Sequence, residues 1–267
     1  KKISSAVKQT KHLSLASLRI TKTPEEIAKI KKACEIGDKA FSYILEQIKP
    51  EMTELQIAAL LEIFIKTHGA EISFPSIVAF EENAAIPHHK TGNKKLKINN
   101  LILIDFGVKY NNYCSDMTRT IFFGKPKNEQ KQAYETVLKA QQNAIQYYTR
   151  EIKRTKNVTA SQLDKVAREH IISQGYPSIP HSLGHGIGLQ VHEAPRLSPT
   201  SKETLAEGMV FSIEPGIYLP ALPVRQAGGR QVSPGFGIRI EDLFAIQNNK
   251  LIQLTKSQQK LLEVDTT

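Results

Sequence analysis

The chain has 267 residues, 40% of them hydrophobic and 23% charged, which is typical of a globular protein with a sizeable core. Its apolar runs are short, which excludes a membrane span of about 18 or more apolar residues. Only two cysteines are present, Cys34 and Cys114, which excludes a disulfide framework and fits a reducing, cytoplasmic compartment. We expect both to be small buried side chains.

The net charge of +10 is concentrated at the start of the chain. Residues 1–32 hold nine Lys or Arg and two Glu, so that +7 of the charge lies there. This segment lacks the interleaved aromatic residues with which nucleic-acid-binding surfaces stack on bases. The sequence therefore favours a protein that binds neither nucleic acid nor membranes. We interpret residues 1–22 as a basic tail or linker from a missing N-terminal domain, and residues 23–267 as one compact domain.

Four helices are predicted, in two pairs. The first helix begins at a capping box, Thr23–Glu26, and the second begins at Thr53 and ends near Gly69. The second pair is predicted over about 128–152 and about 159–173. Strand-like sequence follows each pair: ISFPSIVAF, KLKINNLILIDFGV and YCSDMTRTIFF after the first, MVFSIEPGIYL and FGIRIEDLFAI after the second. The order α-α-β-β therefore occurs twice.

Two aspartates stand in predicted strands, where carboxylates without a partner are disfavoured. Asp105 follows LILI, and Asp116 lies in YCSDMTRTIFF, with KYNN between them as the predicted hairpin turn. A turn centred between Tyr110 and Asn111 places Asp105 opposite Asp116, with Cβ atoms about 4.5–5.5 Å apart. Two carboxylates at that distance share a proton or bind a cation. The alternative is a solvent-facing pair on an edge strand.

Further polar residues complete a candidate metal site. Glu214 ends the apolar run MVFSI, and Glu241 lies in IRIEDLF on the same strand face as Arg239. The stretch HSLGHGIGLQVHEAP, residues 181–195, contains three histidines. Taken singly, these residues also fit the wet face of a sheet or an ordinary loop. Together, two Asp, two Glu and one His favour two divalent ions such as Mn, Fe, Co or Zn.

The motifs LIDFG, SDMTRT, HSLGHGIGLQVHEAP, GMVFSIEPGIY and GIRIED occur in this order. They resemble the pita-bread metallopeptidases, which include aminopeptidase P, prolidase, methionine aminopeptidase and the metal-free creatinase. The resemblance covers about residues 15–255. It implies an α+β pita-bread (creatinase/aminopeptidase) fold, with two pseudo-symmetric α-α-β-β halves around a curved, mainly antiparallel sheet. It also implies that residues 23–267 form the catalytic domain.

The resemblance assigns roles to particular residues. The implied metal ligands are Asp105, Asp116, His185, Glu214 and Glu241, and Glu214 also takes a proton from the metal-bound water. A further site histidine matches His88 in NAAIPHHKTG, with the adjacent His89 as the ambiguity. The sequence GIY after SIEPG, together with His181 and Arg239 as substrate-binding residues, resembles the branch that cleaves X-Pro bonds.

The resulting hypothesis is a metal-dependent exopeptidase that hydrolyses the N-terminal Xaa-Pro bond through a hydroxide held by two metal ions. Mn is expected first, with Co, Zn or Fe as alternatives, and His192 or His88 is expected to stabilise the oxyanion. The expected partner is a peptide with proline in second position, and a homodimer is left open. The alternatives are a methionine aminopeptidase, a metal-free creatinase-like hydrolase and a non-catalytic pita-bread binding module.

One segment departs from the family pattern. Between GIY and the RIED strand, where the connection is usually short, the sequence ALPVRQAGGRQVSPGF intervenes at residues 221–236. We expect a Gly- and Pro-rich surface loop that carries Arg225 and Arg230. The alternative is a loop that overhangs the cleft and alters the preferred substrate length.

Overall fold

The computed structural model describes residues 15–226, 229–233 and 235–264. Of the expected tail at residues 1–22, residues 1–14 lie outside this range. Five helices are described: α1 (Leu15–Ile20), α2 (Pro24–Gln47), α3 (Glu54–Thr67), α4 (Asn128–Thr155) and α5 (Ala160–Ser173). All four predicted helices are confirmed, whereas α1 was not predicted. The capping boxes at Thr23 and Thr53 are both formed, because each Thr side chain accepts from, and each N-cap backbone N–H donates to, the third helical residue.

No helix in the described ranges is long and apolar enough to cross a membrane.

Six strands follow α3: β1 (Glu71–Ile72), β2 (Ile77–Phe80), β3 (Asn100–Phe106), β4 (Val108–Tyr110), β5 (Tyr113–Cys114) and β6 (Met117–Phe123). Ten more follow α5: β7 (Gly184–Gly186), β8 (Glu193–Leu197), β9 (Val210–Ile213), β10 (Gly216–Leu219), β11 (Leu222–Gln226), β12 (Gly229–Ser233), β13 (Phe236–Arg239), β14 (Asp242–Gln247), β15 (Lys250–Gln253) and β16 (Glu263–Val264).

The strands form mainly antiparallel sheets, which confirms the predicted α+β class. The larger sheets have the orders β15-β14-β9-β7-β8 and β16-β6-β3-β2. Smaller sheets pair β1-β4-β5, β10-β13 and β11-β12. The last strand, β16, returns to the first half and runs parallel to β6. The described chain therefore contains the predicted order of two helices followed by strands, twice.

Strand β3 separates two apolar cores. Its residues Ile102, Ile104 and Phe106 pack in the core beneath α2 and α3. Leu101 and Leu103 pack in the core that contains residues of α4 and α5. Because side chains alternate along a strand, Asp105 faces the same side as Leu101 and Leu103, toward the second half of the molecule. The alternation thus directs a carboxylate between the two halves.

The predicted hairpin register is wrong by two residues. Asp105 pairs with Thr118, and Tyr110 pairs with Tyr113, so that Asp105 and Asp116 do not stand directly opposite each other. The turn lies one residue later than expected because Asn111 and Asn112 both adopt positive φ, 46° and 67°. A shift of two residues preserves the face of each side chain, so both carboxylates still reach one cavity.

The insertion at residues 221–236 is more regular than the expected surface loop. Strands β11 and β12 pair antiparallel within it, from Leu222 opposite Ser233 to Gln226 opposite Gly229. The backbone therefore forms a hairpin. The two cysteines agree with the prediction, because Cys34 and Cys114 are both free and buried.

Candidate metal centre

A cavity of about 470 Å³ opens where strands of the two halves meet. Its walls hold all nine residues predicted for the site: His88, Asp105, Asp116, His181, His185, His192, Glu214, Arg239 and Glu241. The remaining lining residues are Phe74, Pro87, Ser182, Val191, Glu193 and Arg196. The fold therefore brings together nine predicted side chains that are up to 153 residues apart in the chain, from His88 to Glu241.

The carboxylates and the central histidine lie on or next to strand ends. Asp105 is near the end of β3, and Asp116 precedes β6. His185 is in β7, Glu214 follows β9, and Glu241 stands between β13 and β14. The first two residues come from the first half of the chain and the other three from the second half. The site consequently exists only when both halves are packed together.

Three of these side chains have the geometry of a metal site. Ligand atoms of Asp116, His185 and Glu241 all lie within 4.8 Å of one another. His185 Nε2 is 3.6 Å from Asp116 Oδ2 and 3.3 Å from Glu214 Oε1. His185 Nδ1 lies 3.1 Å from the carbonyl oxygen of Gly186, to which it donates. This hydrogen bond fixes the tautomer and leaves the Nε2 lone pair available to bind a cation.

Three carboxylate oxygens of the site are buried without a hydrogen-bond partner among the described residues: Asp105 Oδ1, Asp116 Oδ1 and Glu241 Oε1. The other oxygen of Asp105 is 2.6 Å from Arg239 Nη2, and that of Glu241 accepts from Thr118 Oγ1 at 2.8 Å. Burying an unpartnered carboxylate oxygen costs free energy unless a cation binds it. The residues present therefore fit hard divalent cations, which prefer oxygen ligands with imidazole.

Burial also shifts the protonation of the acidic groups. It raises the pKa of Asp116 and of Glu241 well above the ordinary carboxyl value. Repulsion raises both further, chiefly from Glu241 on Asp116 and from Glu214 on Glu241. Burial raises the pKa of Glu214 to about 7. The protein by itself therefore retains protons that a bound cation would displace.

Arg239 connects Asp105 to the wall of the cavity that holds Tyr218 and His181. Besides Asp105, its guanidinium donates to Thr118 Oγ1 at 3.0 Å and to the Tyr218 hydroxyl at 2.8 Å. The Tyr218 hydroxyl in turn lies 2.9 Å from His181 Nε2. Burial lowers the pKa of His181 to about 4, so its ring is neutral near pH 7 and accepts this hydrogen bond. One buried guanidinium thus orients both the Asp105 carboxylate and the Tyr218 hydroxyl.

The remaining predicted histidines, His192, His88 and His89, have different surroundings. His192 packs edge-on against His185, with ring centroids 4.4 Å apart. His88 lines the cavity, whereas His89 Nε2 lies 2.9 Å from Glu54 Oε2 in a neighbouring buried cluster. Of the two adjacent histidines, the structure therefore places His88 at the site and gives His89 a different partner.

The sequence model of metallopeptidase family M24 matches residues 28–248. The chain belongs to metallopeptidase family M24. The Xaa-Pro dipeptidase of Pyrococcus furiosus is 42% identical to this M24 chain over 262 residues, covering 97% of the chain and 70% of that enzyme. The Xaa-Pro dipeptidase of Pyrococcus horikoshii is 40% identical over 250 residues, covering 93% of the chain and 66% of that enzyme. The chain thus spans about two thirds of the length of these relatives.

Solved structures of M24 relatives agree with the fold. Prolidase from Pyrococcus furiosus aligns with a TM-score of 0.80 at 41% identity, covering 91% of this chain and 67% of that one. The X-Pro aminopeptidase from Thermotoga maritima aligns with a TM-score of 0.81 at 40% identity, covering 93% and 66%. The predicted pita-bread fold and the resemblance to the X-Pro-cleaving branch are confirmed.

Two residues of the M24 site escaped the sequence analysis. Thr118 bridges Glu241 and Arg239, and Tyr218 bridges Arg239 and His181. Both lie within recognised motifs, Thr118 in SDMTRT and Tyr218 in GIY. In the sequence, the available signal for each residue was a hydroxyl group within four residues of a predicted metal ligand, Asp116 or Glu214. Its partners depend on pairing between distant strands, which these local patterns do not specify.

Proposed function

We propose that this chain carries the catalytic site of a metal-dependent Xaa-Pro dipeptidase. The observation that carries this proposal is a cavity in which three unpartnered carboxylate oxygens meet His185, beside the Arg239–Tyr218–His181 chain of hydrogen bonds. The names of the relatives support the choice of substrate, because both dipeptidases align over more than nine tenths of this chain. In this proposal residues 23–267 are the catalytic domain, and the buried Lys22, which the sequence assigned to the tail, packs with that domain.

Two divalent cations would be held by Asp105, Asp116, His185, Glu214 and Glu241. When bound, they would supply Lewis acidity at the scissile carbonyl and lower the pKa of a water molecule. Manganese is the proposed metal, with cobalt, zinc and iron as the other candidates to be compared. The support for manganese is the predominance of carboxylate oxygens over imidazole in this set.

Glu214 is the proposed general base. In the metal-free protein burial raises the pKa of its carboxyl group to about 7, and bound cations would displace that proton, so that the ionised carboxylate could accept a proton from water near neutral pH. Its Oε1 is fixed by the Ser212 hydroxyl at 3.1 Å. That oxygen accepts a proton from the attacking water and returns it to the nitrogen of the leaving proline. His88 and His192, on the cavity wall, donate to the oxygen that gains charge in the transition state.

Arg196 supports a preference for dipeptides over longer peptides. Its side chain lines the cavity, and its Nε donates to Ser182 Oγ at 2.8 Å. A guanidinium pairs well with a carboxylate, and in an Xaa-Pro dipeptide the carboxylate directly follows the reacting bond. In a longer peptide the negative charge lies further away. The proposed substrate is therefore a dipeptide with proline in the second position.

The cellular setting of the enzyme belongs to the same proposal. A cytoplasmic location is supported by two cysteines that are both free and buried. Neither nucleic acid nor a membrane is a proposed partner, since the cavity is lined by carboxylates and histidines suited to a small peptide. A homodimer is the assembly to be tested by sedimentation.

The test is an assay panel with the metal content measured. The chain is purified, loaded separately with Mn, Co or Zn, and given Ala-Pro, Ala-Pro-Ala and Met-Ala-Ser. We expect fastest hydrolysis of Ala-Pro. Hydrolysis of Met-Ala-Ser alone would indicate a methionine aminopeptidase. A folded, fully metal-loaded protein that cleaves none of the three would refute the proposed enzyme and favour a binding module.

A matched variant links activity to the metal. Asp116→Ala removes one buried ligand that has no hydrogen bond to its Oδ1. We expect loss of bound metal by elemental analysis and a fall of at least about 100-fold in kcat/KM, with unchanged far-UV circular dichroism. Retention of metal and activity by this variant would contradict the assigned ligand set.

A further inference from the structure

A buried ion pair connects the segment before α2 to the turn that carries His192. Lys22 Nζ lies 3.1 Å from Glu193 Oε2, and the two side chains are 2% and 6% exposed. The partners are 171 residues apart in the chain. Lys22 also lies outside the part that matches the family model, residues 28–248. Its burial nevertheless joins it to the catalytic unit.

The backbone around Lys22 is held in place on the second half of the molecule. Thr21 forms a β-bridge with Met209, and the Lys22 backbone N–H donates to the Gly208 carbonyl at 2.8 Å. Gly208 has a φ of +80°, and a Cβ atom there would lie 2.7 Å from Thr21 Cγ2. The close approach requires glycine at this position. The ammonium group of Lys22 is consequently delivered to Glu193 from a fixed backbone.

Glu193 closes the turn that leads into His192. Its Oε1 accepts from the Gln190 backbone N–H at 3.1 Å, while its Oε2 receives the Lys22 ammonium. Gly188 lies directly against the pair, since a Cβ there would be 2.8 Å from Glu193 Oε2 and 3.0 Å from Lys22 Cε. Both carboxylate oxygens are thus used to hold residues 188–193 in one conformation.

Stabilisation of the fold does not account for the presence of a buried ion pair at this position. Burial lowers the pKa of Lys22 even though Glu193 opposes that shift, so desolvation outweighs the attraction. Buried ion pairs are often no more stabilising than apolar pairs of the same volume. A different benefit is the fixed direction of a side chain next to the cavity, which Glu193 itself lines.

We propose that Lys22 is a positioning residue, which holds Glu193 and thereby keeps His192 edge-on to His185 in the catalytic cavity. This inference rests on the proposed function for the catalytic role of His192, but the position of the His192 ring is measurable without any activity. Lys22 therefore acts through a second residue and touches neither substrate nor metal. A chain that lacks Lys22 keeps the ligand residues and loses the fixed direction of His192.

The test compares Lys22→Met, Glu193→Gln and the double variant in the full chain. Lys95→Met is the matched control, because Lys95 pairs with Glu51 at 3.0 Å on the surface, where the side chains are 60% and 64% exposed. Histidine ring carbons are labelled with ¹³C, and the His192 signal is assigned with His192→Gln. Thermal unfolding, metal content and the kinetics of Ala-Pro hydrolysis are measured on every variant.

We expect either single substitution to move the His192 signal and to lower kcat about 10- to 100-fold, with KM within about twofold. The double variant should lose no more than the worse single variant, because the two residues act as one unit. Lys95→Met should match the wild type in each measurement. These results together would establish the positioning role.

Two outcomes would overturn the proposal. One is an unmoved His192 signal with unchanged kcat in both single variants. The other is joint loss of fold and metal in both, including the milder Glu193→Gln, which would show that the pair is merely structural. If the wild type hydrolyses no Xaa-Pro peptide, the proposed function fails separately, and the His192 signal still tests the positioning of the ring.

Discussion

At the scale of single residues, a hydrogen bond to one polar atom of a side chain orients the second polar atom of the same side chain into the cavity. His185 donates from Nδ1 to a backbone carbonyl, which leaves Nε2 free toward the carboxylates. Arg239 occupies one oxygen of Asp105 and leaves the other unpartnered. In both residues a hydrogen bond on the far atom directs the near atom into the cavity. A lysine in place of Arg239 could not contact Asp105, Thr118 and Tyr218 together.

The adjacent residues His88 and His89 allow a paired prediction. His88 lines the cavity, whereas His89 bonds to the fully buried Glu54, which also accepts from the backbone N–H of Phe80 and Gly92. We expect His88→Ala to lower kcat about 100-fold with unchanged stability. We expect His89→Ala to lower the free energy of unfolding by roughly 2 kcal/mol, through loss of a hydrogen bond to a charged group.

Urea unfolding and Ala-Pro hydrolysis measure the two effects. His89→Gln is the control, since an amide nitrogen can still donate to Glu54 and should retain most of the stability. Equal destabilisation by both alanine variants, or loss of activity confined to His89→Ala, would show that the two histidines have been assigned the wrong way round.

At the scale of elements, the turn between β4 and β5 sets the register that aligns the site. Asn111 and Asn112 both have positive φ, which Asn tolerates better than most residues. The resulting register places Asp105 opposite Thr118, whose hydroxyl then reaches Glu241. The position of the turn therefore fixes which hydroxyl group lies beside Glu241.

Substitution of Asn112 tests this turn. Its φ of 67° is easily adopted by glycine and strained for alanine. We expect Asn112→Ala to lower the free energy of unfolding by about 1 kcal/mol and Asn112→Gly to change it by less than about 0.5 kcal/mol. Denaturant midpoints of the two variants decide the matter, and equal values would argue against a left-handed residue at this position.

Local signals explain which elements were predictable. The helices that begin at Pro24 and Glu54 were predicted because each capping box is a local pattern of four consecutive residues, which can be recognised without knowing the fold. The register of the hairpin was wrong because either Tyr110 and Asn111 or the two asparagines could form the turn, and sequence spacing does not choose between them. Helix α1 and the β11–β12 hairpin were missed, since neither carries strong periodicity. Eight of the nine site residues were identified because five motifs occur in one order, and His88 because NAAIPHHKTG precedes the first of those motifs.

At the scale of the whole molecule, the two halves are joined next to the proposed metal ligands. The Glu241 backbone N–H donates to the Thr118 carbonyl at 3.1 Å. Arg119 and Asp242, both almost fully buried, form an ion pair at 2.6 Å. Asp105 and Asp116 come from one half, and His185, Glu214 and Glu241 from the other. Bound cations would therefore contribute to folding stability as well as to chemistry.

The buried carboxylates make the stability of the metal-free protein depend on pH. A carboxyl group whose pKa is raised on folding holds its proton more tightly in the folded state, so its contribution is complete below the unfolded pKa and is lost as the pH rises through the folded pKa. For Glu214 that window runs from 4.5 to about 7. The corresponding loss is roughly 3 kcal/mol.

The measurement is the free energy of unfolding of chelator-treated protein between pH 4.5 and 7.5, for the wild type and for Glu214→Gln. The comparison with Glu214→Gln is needed because His181 acts in the opposite direction. Burial lowers its pKa to about 4, so that its contribution to the free energy of unfolding increases as the pH rises. We expect the wild type to lose stability relative to Glu214→Gln across this window, and added Mn to reverse the loss at pH 7. A constant difference between the two proteins would contradict the assignment.

Because β16 lies near the end of the described chain, its late synthesis affects how the first half folds on the ribosome. Glu263 and Val264 pair with Phe122 and Phe123 of β6, roughly 140 residues earlier in the chain. Until the later residues leave the ribosome, this edge of the first sheet has no strand beside it. Phe122 and Phe123 are almost completely buried in the finished fold. During translation the nascent first half therefore presents an open, aromatic strand edge, and in that interval it is most prone to aggregate.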